Sequence, residues 1–215
     1  MANLLYQLFK IVLLLVLPFA FLIRGAVYFH HYQSFSPWMA IAGGVLVTTV
    51  LLFIYMTFFY GQLTGKLGDS SSLKRRSLFA FIMVMGYSVY GLVFLSDSNV
   101  KHPEVRKEYT SLHPILRLSI STIVFLDEGL ILTDAKRQPE DYKKMGLKSK
   151  KRSLHYPQND GYVHAIDIRT NGRSEIRNFF LKTYFQLMGL NTLRHVGTGD
   201  HLHVSLHSHD SPGAI

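Results

Sequence analysis

The chain contains no cysteine, which excludes a disulfide framework and any metal site built from thiolates. An exported domain remains compatible with this composition, because a domain of more than about 100 residues can bury enough apolar surface to fold without cross-links. A metal ion in this protein must then be held by nitrogen and oxygen side chains.

Charged residues are sparse in the first 95 positions, and residues 39–60 and 78–95 contain none. Each run approaches or exceeds the length with which a helix crosses about 30 Å of hydrocarbon, so both are predicted to span a membrane. Within the first of them, Gly43 and Gly44 are expected to let another helix approach closely.

Residues 4–23 form a third predicted transmembrane helix, in which Lys10 can extend its long side chain to the headgroups. A cleaved signal peptide is the alternative interpretation of this run. The three spans together predict an α-helical membrane region over residues 1–95.

Acidic residues are scarcer than basic ones, at 14 against 23. The loop 61–77 carries four basic residues and one acidic residue, Asp69, whereas the loop between the first two spans carries only Arg24. Because basic loops stay in the cytoplasm, we expect residues 61–77 and the N-terminus to be cytoplasmic and everything after residue 95 to lie outside.

The exported part is also basic, since residues 101–215 have a formal charge of +5. Such a charge suits an anionic polymer such as a cell wall, or an anionic lipid surface, and nucleic acid is not expected as a partner. Residues 143–152 hold six basic side chains and no acidic one. They are either a solvated loop or a basic rim that faces the substrate.

The chain beyond the spans is predicted to fold as a linker, residues 96–111, and a small domain, residues 112–215. Pro114 fits the first turn of a helix that ends near Gly129. A strand is predicted at 130–133, a short helix from about Pro139 and a helix at 173–188. In this last helix an apolar stripe is expected to cover one face of a sheet; it consists of Ile176, Phe179, Phe180, Tyr184 and Leu187.

One stretch, residues 153–203, holds the candidate metal ligands His155, Asp167 and His203. If residues 162–168 form a strand, Asp167 faces one side and His164 the other. This phase favours His155 over His164 as the first ligand, and His164 is expected to be packed or at the surface. His201 and His203 alternate with apolar residues, as in a half-buried strand, so they share one face.

These residues resemble a known family. Ser-Leu-His-Tyr at 153–156, Ala-Ile-Asp-Ile at 165–168 and His-Leu-His-Val at 201–204 are similar to the signature of the zinc D-alanyl-D-alanine carboxypeptidases, including the vancomycin-resistance dipeptidases. The Hedgehog signalling domain shares that fold. The resemblance covers residues 112–206 and implies an α+β domain with an antiparallel sheet and zinc held by His155, Asp167 and His203.

The same resemblance implies three further roles. Arg137, in a strand-end segment similar to that of the family, would bind substrate or the developing oxyanion. Asp200, three residues before His203, would be the general base, a position at which many members have glutamate. His201 would help to hold the oxyanion. Eleven residues separate His155 from Asp167, a longer interval than in the compact family motif.

The sequence therefore predicts a zinc peptidase anchored in the bacterial cytoplasmic membrane and acting on peptidoglycan peptides. It would be a D,D- or L,D-carboxypeptidase or an endopeptidase. The alternative is an inactive zinc-containing module that grips the wall or a partner within a membrane-protein complex.

Other histidines lie outside this set. The adjacent pair His30 and His31 is interpreted as part of an aromatic belt at the membrane interface rather than as metal ligands. His207, His209 and Asp210 look like a second metal cluster, but a frayed terminus is the preferred interpretation.

Overall fold

The computed structural model describes residues 2–144, 146, 152–197 and 199–214, and for residues 2–4, 6–15, 143 and 144 it describes the backbone alone. These residues form mainly helices with one small sheet. The helices are α1 (Ala2–Gln33), α2 (Pro37–Thr64), α3 (Ser70–Val93), α4 (Pro103–Tyr109), α5 (Pro114–Leu126), α6 (Pro139–Lys144) and α7 (Glu175–Leu187). The strands are β1 (Leu132–Asp134), β2 (Ala165–Arg169), β3 (Asn191–His195) and β4 (His201–Ser205).

Two of the described helices, α2 and α3, are long and apolar enough to cross a membrane. They contain the predicted span 39–60 and most of the predicted span 78–95. The third predicted span, residues 4–23, lies in α1, where most of its side chains, including Lys10, fall outside the described residues. The structure thus supports two candidate spans.

Helices α1 and α2 pack closely at Gly44. A Cβ atom at this position would lie 2.4 Å from the backbone oxygen of Leu22, so no larger residue fits there. The expectation of a close helix approach at Gly44 is confirmed.

Helix α5 joins the apolar helices to the rest of the chain, because it contacts α1, α2, α3 and α7. Pro114 begins it as predicted, and His113 caps its N-terminus by accepting a hydrogen bond from the Ile115 amide at Nδ1. Its buried hydroxyls are satisfied within the fold. The Ser119 hydroxyl donates to the Ile115 carbonyl, and the Ser121 hydroxyl donates to the Gly91 carbonyl of α3.

Residues 96–111, interpreted above as a linker, are folded. They contain a 3-10 turn, Asp97–Asn99, and helix α4, and the side chains of Val105 and Tyr109 are buried in the same core as α5. Buried apolar side chains hold this segment against the domain, although its composition is polar.

The sheet is antiparallel, with strand order β1-β2-β4-β3. Strands β2 and β4 are therefore central, and their register sets Asp167 opposite His203. The predicted combination of helices with a small antiparallel sheet is confirmed.

Helix α7 begins after its predicted cap, Ser174, but presents a different face to the sheet than expected. The residues buried along it are Asn178, Leu181 and Phe185, whereas four members of the predicted stripe are exposed. That prediction was wrong. The exposed members are Ile176, Phe179, Phe180 and Leu187.

Part of the stripe faces the apolar helices instead. Phe180, Tyr184 and Leu187 line an apolar cavity of about 720 Å³ together with side chains of α1 and α3, among them Phe19 and Tyr87. Apolar periodicity alone does not show which apolar neighbour a stripe meets.

The C-terminal histidines are held in place rather than frayed. The His207 ring stacks on His31 of α1 at 4.0 Å between centroids, and His209 Nε2 lies 2.9 Å from the backbone oxygen of His30. Most of the basic run 143–152 lies outside the described residues.

Candidate metal centre

Three elements bring the candidate ligands together. Asp167 lies on β2 and His203 opposite it on β4. His155 comes from the loop before β2, where its backbone oxygen accepts a hydrogen bond from the Arg137 amide. All three side chains are buried, with exposed fractions of 2 % for His155 and Asp167 and 7 % for His203. A buried cluster of two imidazoles and one carboxylate is a donor set typical of catalytic zinc.

The distances between the ligand atoms fit one metal ion. Nε2 of His155 is 3.3 Å from Nδ1 of His203, and Oδ1 of Asp167 is 3.4 Å from the first and 2.8 Å from the second. Ligand atoms bound about 2.0–2.1 Å from a tetrahedral zinc lie about 3.3–3.4 Å apart. Two of the three edges therefore already have the required length, and the residues present fit a zinc ion.

The ring of His155 is fixed in the form that binds metal. Its Nδ1–H donates to the carbonyl oxygen of Ala135 at 2.6 Å, so the proton of the neutral ring is on Nδ1 and the Nε2 lone pair is free. His203 presents Nδ1 to the cluster, while its buried Nε2 has no hydrogen-bond partner among the described residues. Burial lowers the pKa of His203, which favours the neutral ring that a metal needs.

Asp167 divides its two oxygens between the histidines and an arginine. Oδ1 faces His155 and His203, and Oδ2 accepts a hydrogen bond from Nη2 of Arg137. Burial alone would raise the pKa of Asp167, but the two histidines and Arg137 outweigh it and hold that pKa well below its ordinary value. Asp167 is thus a carboxylate over the whole neutral range.

Arg137 is placed to orient a metal ligand. Besides its contact with Asp167, its Nε donates to Asp134 at 2.7 Å, and only 17 % of its side chain is exposed. The two carboxylates accept from two of its five N–H donors. Its described contacts are therefore those of a residue that positions Asp167, where the sequence resemblance implies a substrate or oxyanion contact.

Asp200 forms an ion pair with Arg194, and none of its described hydrogen bonds goes to the three candidate ligands. Its carboxylate accepts from Arg194 at 2.9 and 3.1 Å and from the Thr170 hydroxyl at 2.5 Å. The hydrogen bonds from Arg194 and Thr170 lower the pKa of Asp200 to about 2. A carboxylate with so low a pKa is a weak proton acceptor.

His201 lies at the edge of the cluster and is partly exposed. Its Nε2 is 3.7 Å from Oδ2 of Asp167, and its Nδ1–H donates to the Gly199 carbonyl at 2.6 Å. With the proton on Nδ1, Nε2 can donate only in the charged ring. His201 and His203 face the same side of β4, as the alternation in the sequence indicates.

A second buried cluster was missed from the sequence. His164 points away from Asp167, as the strand phase predicts, and meets His30 and His113 there. Each of these residues is separated from the others by dozens of positions, so no local spacing could have grouped them.

The comparisons with known proteins give no family for this chain. No protein-family model, no curated protein and no solved structure matches it.

Proposed function

We propose that the chain is a membrane-anchored zinc peptidase that hydrolyses peptide bonds of peptidoglycan, as a D,D- or L,D-carboxypeptidase or an endopeptidase. The observation that carries the proposal is the convergence of His155, Asp167 and His203 at distances that suit one tetrahedral ion. The resemblance of the three surrounding sequence segments to the zinc D-alanyl-D-alanine carboxypeptidases supplies the reaction class.

His155, Asp167 and His203 would hold the zinc ion and leave a fourth position open. A zinc ion bound there would act as a Lewis acid and would lower the pKa of its water toward about 7. Arg137 keeps the Asp167 carboxylate oriented, which fixes the geometry of the donor set.

Proton transfer is assigned to Asp200, which would take a proton from the attacking water and pass it to the leaving amine. Its carboxylate has about four acceptor positions, of which Arg194 and Thr170 occupy three, so one position on Oδ2 remains for a water. His201 would stabilise the developing oxyanion only as the charged ring, because its neutral form already donates through Nδ1.

The membrane setting rests on the two apolar helices and on four basic residues between the two predicted spans. These residues are Lys66, Lys74, Arg75 and Arg76. We propose a multi-pass protein of the bacterial cytoplasmic membrane with the N-terminus inside and the sheet on the periplasmic or extracellular side. Its partners would be the bilayer, the wall peptide and, through the helices, a membrane-protein complex.

A binding module is the second candidate function. The ion pair of Asp200 with Arg194 favours it, because the pair lowers the pKa of that carboxylate and so makes the expected general base a weaker proton acceptor. Such a module would keep zinc and grip the wall or a partner protein without cleaving it.

One experiment separates the two. The full chain, purified in detergent and loaded with zinc, is incubated with muropeptides beside His203→Ala, and the products are followed by mass spectrometry. Cleavage by the native protein alone supports the peptidase. Zinc at the His203 site without cleavage supports the binding module. If the native protein shows no zinc at this site and no cleavage, the site assignment is wrong.

A further inference from the structure

The second histidine cluster lies where the first helix meets the domain. His30 comes from the C-terminal end of α1, His113 from the N-cap of α5 and His164 from the residue before β2. Their exposed fractions are 3 %, 0 % and 2 %, and one nitrogen of each lies within 4.8 Å of one nitrogen of the others.

In two of these rings both nitrogens lie close to an oxygen acceptor, although a neutral imidazole has only one N–H to donate. His30 places Nδ1 3.2 Å from the Phe35 carbonyl oxygen and Nε2 3.2 Å from the His207 carbonyl oxygen. His164 places Nε2 2.8 Å from Oδ2 of Asp160 and Nδ1 3.2 Å from the same His207 oxygen. A neutral ring has one N–H. One nitrogen of each ring is therefore left with its lone pair facing an oxygen.

A cation between those lone pairs resolves the conflict. If Nδ1–H of His30 donates to Phe35 and Nε2–H of His164 donates to Asp160, the other two nitrogens converge on the His207 oxygen. Histidines that bind metal commonly donate their second nitrogen to a carbonyl or a carboxylate in this way. The two separations of 3.2 Å are close to the spacing of about 3.3–3.4 Å between ligands of a tetrahedral zinc.

His113 supplies a third nitrogen. Its Nε2 is buried and has no hydrogen-bond partner among the described residues, and it lies 3.7 Å from Oδ2 of Asp160. Because its Nδ1 accepts from the Ile115 amide, the proton of the neutral ring is on Nε2. For Nε2 to bind a metal, that proton moves to Nδ1 of the same ring, and the long hydrogen bond of 3.2 Å from the Ile115 amide is given up.

We propose that His30, His113 and His164, with the His207 carbonyl oxygen, form a second metal site for a divalent transition ion of the zinc class. The donor set of imidazole nitrogens and one oxygen suits such an ion. The burial of all three rings is typical of a structural site rather than of a catalytic one. The site ties α1 to the N-terminus of α5, to the start of β2 and to the C-terminal segment.

This proposal does not depend on the proposed function, and metal counting separates the two. The full chain in detergent is loaded with zinc, dialysed, and measured by elemental mass spectrometry. We expect about two equivalents for the native protein, about one for His203→Ala, about one for His30→Ala and none for the double variant. His31→Ala, which changes the adjacent ring, should retain about two.

Loading with cobalt in place of zinc gives a second measurement. In the His203→Ala variant it reports on His30, His113 and His164 while all three are unchanged. In His203→Ala, the visible absorption of tetrahedral Co²⁺ should persist and should vanish when His30→Gln is added. One equivalent in the native protein that is lost in His203→Ala overturns the second site and leaves the first standing. One equivalent that is retained in His203→Ala and lost in His30→Ala overturns the first site and leaves the second standing.

Discussion

Arg137 contacts the Asp167 oxygen that faces away from His155 and His203, so the arginine and the candidate metal lie on opposite oxygens of one carboxylate. This contact fixes the orientation of a ligand that is itself almost fully buried. The affinity of the candidate site for a metal would then depend on a residue that does not itself contact the metal.

The first prediction concerns this arginine. Arg137→Gln should weaken zinc binding by about 10- to 100-fold without abolishing it, because changes in the partners of metal ligands have effects of that size. Titration with a competing chelator measures the change. Arg173→Gln, which removes an arginine that pairs with Asp127 elsewhere, is the control, and equal affinities for Arg137→Gln and the native protein would contradict the assigned role.

The second prediction concerns Asp200, the proposed general base. Arg194→Gln removes the main cause of the low pKa of Asp200, so that pKa should rise from about 2 toward the ordinary value of about 3.9. A carboxylate with a higher pKa is a better proton acceptor, so kcat at neutral pH should increase roughly 3- to 10-fold. Steady-state cleavage of a muropeptide is the assay.

For comparison, Arg177→Gln breaks an ion pair with Asp127 and should leave kcat unchanged. Asp200→Asn should eliminate cleavage. A lower kcat in Arg194→Gln would show that Arg194 orients Asp200 instead of restraining it.

The third prediction tests which face of α7 is buried. Phe185 is fully buried, and Phe185→Ala should lower the free energy of unfolding by about 3–5 kcal/mol. Phe179 is 64 % exposed, and Phe179→Ser should change the free energy of unfolding by no more than about 0.5 kcal/mol. Denaturant titration of the full chain in detergent compares the two, and similar losses would mean that the stripe is buried after all.

The fourth prediction concerns orientation and uses the absence of cysteine. Single cysteines are introduced in exposed positions as Asn171→Cys, before α7, and Lys66→Cys, between α2 and α3. In intact spheroplasts a membrane-impermeant maleimide should label the first and not the second, because basic loops remain cytoplasmic. The opposite labelling would rule out a wall substrate.

The sequence predicted the elements of the domain well where one local pattern decided them. Pro114 and Ser174 mark the starts of α5 and α7, and the period of two along β2 separates His164 from Asp167. Such signals lie within one element. The grouping of His155, Asp167 and His203 rested instead on the order of three sequence segments and on their resemblance to a known signature.

Relations between distant elements were not predictable in the same way. The stripe that contains Phe179 and Phe180 has the period of a helix. This period does not show whether the stripe packs against the sheet or faces the apolar helices, because both environments accept apolar side chains. The meeting of His30 with His164 depends on how α1 packs against the domain, and the sequence contains no local trace of that packing. The engagement of Asp200 by Arg194 likewise follows from the pairing of β3 with β4.

The apolar core is continuous from Leu22 of α1 through Leu118 of α5 to Val204 of the sheet, and Arg24 of α1 donates to the Leu187 carbonyl at the end of α7. With the proposed anchoring, the described residues would join the candidate metal centre to the spans as one packed unit. It would work at one fixed height above the bilayer and reach new substrate by lateral diffusion of the whole molecule, so wall strands beyond that height would escape it.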